Sequence, residues 1–370
     1  MKRILKALPL VFVLACSGSS DPAGQAVGAA GPGGPGDADS GSGRDPGSIV
    51  ASDGGTGMVP DGGDRAHPLD GGTPRDSGTA ADGGPAAAPI AEQPAFTTLY
   101  AVSDLHGHYA QLTALLVKYG LVASAPAQPG LAVWAGGDAT LVVLGDMIDK
   151  GPGSLEVIEA VMALQASAGA SGGRVIALFG NHEAEFLGDP TGSKFVGVDR
   201  IDNELASQTP AISPVAFASG ADPRGAWIRK LPFGARVGGW FFSHAGDSGG
   251  LTVAQLDAEL TSALTGPQGF TSPSIVGPTS LLESRTWYTP SVVTANMAAL
   301  GVKHIVFGHD PNAFGAAGVI AAPSAYAGAL VKIDTGLGAD VSAGAFLRVR
   351  HAGAAEVAEA LLPDGTVQPL

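Results

Sequence analysis

The 370 residues carry 34 acidic against 20 basic side chains, a formal net charge of −14, and 45% of them are hydrophobic. From residue 95 onward 23 acidic face 14 basic residues, a net charge of −9. Such a balance disfavours a nucleic-acid partner, whose binding relies on a basic patch. Cys16 is the only cysteine, which excludes an intrachain disulfide.

The chain opens with Lys2, Arg3 and Lys6, followed by a mostly apolar stretch from Ala7 to Ala15 that is too short to span a bilayer. This is the pattern of a secretory signal peptide over residues 1–15. Ala15-Cys16 resembles the lipobox of bacterial lipoproteins. That likeness implies cleavage before Cys16, acylation of its thiol and new amine, and a lipid-anchored location in a bacterial cell envelope. Residues 16–94 are different material. Ser17 to Pro94 holds 20 Gly and 10 Pro in 78 residues, with ten Asp and one Glu against three Arg. The composition reads as a disordered, self-repelling tether. Four irregularly spaced "DGG" triplets within it do not make calcium-binding turns.

A folded domain is expected over 95–370. Short apolar runs there repeatedly end in Gly, Asp, Asn or His. "TTLYAVSDLHGHY" reads as a strand over Thr98 to Ser103 that stops at Asp104-Leu105-His106, with both polar side chains on one side of an extended segment. A helix face follows at Leu112, Leu115, Leu116 and Tyr119. "LAVWAGGDATLVVLGD" reads as a hairpin turning at Ala135 to Asp138, its second strand running into Gly145-Asp146. Leu155, Ile158 and Met162 mark the next helix. "GRVIALFGNHEAEF" gives a strand over Arg174 to Phe179 ending at Asn181-His182-Glu183. Gly188 to Pro223 is rich in turn formers and reads as an insert. Strands then end at His244, His309 and Asp334, and further β structure begins at Phe346, with a turn at Pro363-Asp364-Gly365. Strands alternating with helices argue an α/β core, whose ligands gather at the carboxyl ends of strands.

Asp104, His106, Asp146, Asn181, His244 and His309 offer carboxylate, amide and imidazole donors, a set suited to Mn, Fe or Zn. Asp146 could bridge two ions. A pair of ions about 3.5–4 Å apart would clamp a phosphate and lower the pKa of a bridging water, and the resulting hydroxide would attack phosphorus in line.

"SDLHGHY", "LGDMIDKGP", "FGNHEAEF", "FSHAG" and "FGHDP", in that order, resemble the signature blocks of the calcineurin-like metallophosphatases, in particular the phosphoprotein phosphatase branch and its bacterial, Shewanella-like subgroup. The resemblance spans about Tyr100 to Gly338. It implies a two-sheet αββα sandwich with a centre of two divalent metal ions (Mn, Fe or Zn). Asp104 and His106 would hold the first ion, Asp146 would bridge, and Asn181, His244 and His309 would complete the second. His182 would be the general acid, oriented by Asp149. Asn181 would also face the substrate phosphate.

Most of that branch has Arg after the Asp149 position, where this chain has Lys150. Lysine binds phosphate as a point charge and not as a bidentate fork. A further phosphate-binding arginine is expected, with Arg285 the candidate by its placement and Arg224, Arg229 and Arg236 competing. His108, His304 and His351 are left outside the ligand set, and Asp334 is read as structural or supporting. The expected function is a two-metal phosphomonoesterase acting on phosphorylated Ser/Thr or Tyr in proteins, with manganese among the candidate ions. The alternatives are hydrolysis of small phosphates or dinucleoside polyphosphates, or a non-catalytic surface lipoprotein.

Overall fold

The structure is a computed structural model that describes residues 88–336 and 344–370. The signal-like segment, Cys16 and the tether composition up to residue 87 lie outside the described residues. Eleven strands are described: β1 (Ile90–Gln93), β2 (Thr98–Val102), β3 (Thr140–Val143), β4 (Arg174–Ala177), β5 (Gly234–Val237), β6 (Trp240–Ser243), β7 (His304–Phe307), β8 (Leu330–Lys332), β9 (Phe346–Ala352), β10 (Ala355–Leu361) and β11 (Val367–Pro369). They form two sheets, ordered β1-β5-β6-β7-β8 and β11-β10-β9-β2-β3-β4. Within the first, β6, β7 and β8 are parallel; within the second, β2, β3 and β4 are parallel.

The sheets pack face to face through one apolar layer. Leu99, Ala101, Val142, Leu144 and Ile176 meet Ala235, Phe242, Val306 and Val331 there. Alternate residues such as Val102, Leu141, Val143 and Val175 face the helices instead, as the period of two in a strand requires. Helices α1 (Tyr109–Lys118), α2 (Ser154–Ala168) and α3 (Asn181–Gly188) follow β2, β3 and β4. Leu112, Leu115 and Leu116 of α1 and Leu155, Ile158 and Leu164 of α2 are buried at helix-face spacing. The two-sheet α/β architecture implied by the motifs is the one observed.

Three local expectations are corrected. The folded domain starts before residue 95: β1 pairs in parallel with β5 from Ile90↔Gly234 to Gln93↔Val237. The expected hairpin is absent. Ala135 to Asp138 does turn, but Trp134 makes only a single bridge, to Val122. Both edges of β3 are taken by β2 and β4, so no edge remains for a hairpin partner. Thirdly, residues 188–223, read as an insert rich in turn formers, carry helices. They include α4 (Ile201–Ser207) and α5 (Pro214–Ser219), which lead into α6 (Pro223–Ile228). Pro at the first turn of α5 and α6 is compatible with a helix start. Among the described residues, no helix is long and apolar enough to cross a membrane.

Candidate active site

Parallel strands of both sheets release their chains at one edge, and the polar residues at those exits share a cavity of about 490 Å³. Asp104, His106, Asp146, Lys150, Asn181, His182, Arg285, His309 and Asp334 all line it. His244 and Asp149 are completely buried behind it.

The exits are not extended. Asp104 (φ 55°), His106 (φ 41°), Asp146 (φ 49°), Asp149 (φ 65°), Lys150 (φ 62°) and His309 (φ 64°) all adopt left-handed backbone. The expectation that Asp104 and His106 alternate along a strand is therefore corrected: they share a cavity because the chain turns. Sparsely populated conformations of this kind cost about 1–3 kcal/mol each and persist where the surroundings over-determine them. Here the surroundings are main-chain bonds between exits, including Asp104 N–H to Gly145 O (3.2 Å) and His106 N–H to Asp146 O (2.7 Å). Glu183 adds four more. Its carboxylate accepts from the N–H groups of Asp146 (2.9 Å), Met147 (2.7 Å), Ile148 (3.1 Å) and Gly180 (2.8 Å). The motif block "FGNHEAEF" contains Glu183 but assigns it no role. An acidic residue in the first turn of α3 was the available signal, since such residues satisfy free N–H groups at a helix start. The loops also touch directly: a Cβ on Gly145 would fall 2.0 Å from Gly180 N, and one on Gly180 2.1 Å from Asp146 N.

Asp146 presents its two oxygens to two histidines. Oδ2 lies 3.4 Å from His106 Nε2, and Oδ1 lies 3.3 Å from His244 Nε2. Asn181 Oδ1 is 3.1 Å from the same His244 nitrogen. Donor atoms of His106, Asp146 and His182 lie within 4.8 Å of one another, and so do those of Asp146, His244 and His309. The first group contains His182 where the motif reading had Asp104. Asp104 Oδ2 is engaged by Ser103 Oγ (2.5 Å) and by the His309 N–H (3.1 Å). His309 Nε2 is buried with no hydrogen-bond partner. Buried imidazole and carboxylate donors that converge in two groups sharing one carboxylate suit a pair of divalent ions.

Charge is arranged accordingly. Burial would raise the Asp146 pKa, but His244 and His182 hold it well below the usual carboxylate range. Burial would lower His244, but Asp146 and Asp104 raise it to about 10. His309 goes the other way, pushed down by burial and by neighbouring His244 and Arg285. Burial and Asp104 raise Asp334 to about 8, and burial and Glu185 raise Glu283 to about 7.

His182 is fixed from behind: its Nδ1 lies 2.8 Å from Asp149 Oδ2. Asp149 Oδ1 accepts from the Ile201 N–H (3.0 Å), so the start of α4 helps hold this pair. Lys150 Nζ lies 2.7 Å from His106 Nε2. Arg285 is half exposed at the cavity and lies 3.8 Å from Asp310. Its competitors are committed elsewhere: Arg224 to Asp222 and Glu159, Arg229 to the Ala218 carbonyl, Arg236 to Glu92. His304 stacks on Trp240 and His351 on Phe96, both outside the cavity. Two further residues the sequence did not flag are Lys194, which also lines the cavity, and Lys332. Lys332 is buried and donates to the carbonyls of Pro311 (3.0 Å) and Ala316 (2.6 Å), pinning the loop after His309.

Residues 97–313 match the family model for calcineurin-like phosphoesterase. A symmetrical bis(5'-nucleosyl)-tetraphosphatase of Janthinobacterium sp. is 31% identical over 174 residues, 46% of this chain and 52% of that protein. An uncharacterized protein of Schizosaccharomyces pombe is 38% identical over 87 residues, 24% of this chain and 25% of that one. The chain thus spans between a quarter and about half of the length of these curated relatives. Among solved structures, a cold-active protein-tyrosine phosphatase of a Shewanella species matches with a TM-score of 0.60 at 20% identity, covering 75% of this chain and 82% of that one. A protein serine/threonine phosphatase of Saccharomyces cerevisiae matches with a TM-score of 0.50 at 14% identity, covering 74% and 83%. These structural likenesses concern the fold.

Proposed function

Because the chain belongs to the calcineurin-like phosphoesterase family, we propose that it is a metal-dependent phosphomonoesterase acting on phosphoserine, phosphothreonine or phosphotyrosine in proteins. The observation that carries the reading is the pair of donor groups sharing Asp146, with His182 beside them. Two divalent ions held by these residues, of Mn, Fe or Zn type, would polarise phosphoryl oxygens and lower the pKa of water. The chain's own residues do the rest. Lys150 and Arg285 supply positive charge for the phosphate. His182, with Nδ1 held by Asp149, keeps Nε2 on the cavity side, where it protonates the departing alkoxide or phenoxide oxygen. The Asp149 carboxylate holds the ring in the orientation that this step needs.

The test is hydrolysis of an aryl phosphate and of a phosphopeptide panel by the metal-loaded protein. Turnover that requires added Mn and is abolished by His182→Ala supports the reading. Two bound ions without such turnover overturns it. A second reading, hydrolysis of small phosphates or dinucleoside polyphosphates, is favoured by the likeness to the bis(5'-nucleosyl)-tetraphosphatase. Including dinucleoside tetraphosphates in the panel separates the two. A purely partner-binding lipoprotein is the weaker reading, since every ligand type the motifs call for is in its expected place in the sequence.

The proposal extends to location. Export through the N-terminal segment and acylation at Cys16 would tether the domain to a bacterial envelope membrane. Labelling with a radioactive fatty acid should mark the protein, and Cys16→Ala should abolish the label.

A further inference from the structure

We propose that Glu283 is an additional metal ligand, a carboxylate that joins His309 on the second ion of the centre. This inference rests on the metallophosphoesterase reading and adds a residue the motif blocks do not contain.

Glu283 lies between two firmly seated neighbours. Leu282 and Ser284 are buried, and the Leu281 carbonyl accepts from the Ala245 N–H (2.9 Å), next to His244. The backbone is thus tied to the exit of β6, and the Glu283 side chain lines the cavity. Its Oε2 lies 3.5 Å from His309 Nε2. That nitrogen belongs to a side chain only 3% exposed and has no hydrogen-bond partner. Two donors on one ion, each about 2.0–2.2 Å from it, sit on the order of 3–3.5 Å apart. The spacing is therefore that of two ligands, and it is long for a hydrogen bond.

The surrounding charge gives the same answer. Glu283 faces Glu185, a second carboxylate. Glu185 is already engaged by Lys194 Nζ (2.8 Å) and Asn181 Nδ2 (2.9 Å). Lys194 also attracts Glu283, and Asn181 shares a hydrogen bond with it. A carboxylate placed against another carboxylate and a free imidazole nitrogen calls for a cation. Glu283 stands outside the group of Asp146, His244 and His309 whose donor atoms lie within 4.8 Å of one another, so it would reach the second ion by a turn of its side chain. That ion would then see two carboxylates, two imidazoles and an amide oxygen. A set so rich in oxygen moves preference toward Mn over softer ions.

The experiment is a titration of the metal-free full chain with Co(II), followed by its visible absorption and by calorimetry. Wild type should take up two ions. Glu283→Gln should bind one of them about 10–100-fold more weakly, with a shifted absorption band, and Glu283→Asp should recover part of the affinity. Matching thermal melts of the metal-free proteins would show that the fold is kept. Two ions bound by Glu283→Gln with wild-type affinity and spectrum would overturn the inference while leaving the metallophosphoesterase reading standing. A wild-type chain that binds no ion would remove both.

Discussion

Asp149 Oδ2 lies 2.8 Å from His182 Nδ1, and neither its carboxylate nor the imidazole edge it faces is open to solvent. The other Asp149 oxygen is bound to the Ile201 N–H, so the carboxylate has no freedom to swing away. Asp149→Asn should therefore keep the imidazole near its place but replace the carboxylate that faces its Nδ1 by an amide. The expected loss in kcat is about 10²-fold or more, the usual scale for a positioned general acid. It should be larger for alkyl than for aryl phosphates, because phenoxide leaves without much help. Equal losses on both substrate types would count against His182 as the acid.

Lys150 Nζ rests 2.7 Å from His106 Nε2, in the space a cation bound to that nitrogen would also claim. Lys150→Met should thus have two opposed effects. Inorganic phosphate should inhibit about tenfold less, through the loss of a charge-assisted contact. Metal affinity should rise, since a repelling charge has gone. Phosphate inhibition and calorimetric metal titration read the two separately.

Lys332 gives a prediction for stability. It is buried, and its ammonium bridges the carbonyls of Pro311 and Ala316. Burial lowers its pKa, but the two carbonyls give it partners. Lys332→Met would leave both carbonyls unpaired, at a cost of about 1–3 kcal/mol. Urea denaturation should show the loss. KM for the aryl phosphate should rise as well, because Pro311 and Asn312 of the released loop line the cavity.

These residues mark how far the sequence was legible. Asp104, His106, Asp146, Asn181, His244 and His309 could be read because each sits in a short local pattern, an apolar run broken by a polar residue with glycine within three positions. Glu283 and Lys332 could not, and Glu183 only as an acidic residue in a first helical turn, because the partners that matter are remote in sequence. Lys332 acts on carbonyls 16 and 21 positions away, and Glu183 on amides 35 to 37 positions away. The missed β1 is four residues in a Pro- and Ala-rich setting, and only its pairing with β5 makes it a strand. The false hairpin came from a real turn beside an apolar strand. Nothing local announced that both edges of that strand were already filled.

Glu359 gives a prediction for the acid response of the second sheet. It accepts from both Arg348 and Arg350 of the adjacent strand β9, with distances of 2.7–3.1 Å. The hydrogen bond from Arg350, joined by Arg348, holds its pKa below the usual value despite partial burial. A depressed carboxylate pKa contributes stability that is present above the unfolded-state pKa of about 4.3 and is lost as pH falls through the lower folded value. Glu359→Gln should therefore lower Tm at neutral pH, and its Tm should converge with that of wild type as pH drops below about 4. Parallel melting curves across the whole range would contradict this.

The contact between Gly145 and Gly180 bears on how such a centre can be altered. Where those loops meet, main chain lies against main chain, and the Glu183 carboxylate ties the amides of both. The spacing between Asp146 and Asn181 thus leaves little room for adjustment, since a larger residue at either glycine would collide with the opposite backbone. On the opposite side, a single lysine holds the loop after His309, and a glutamate stands within reach of the imidazole. Efforts to change ion preference, in the laboratory or over evolutionary time, have room to act there.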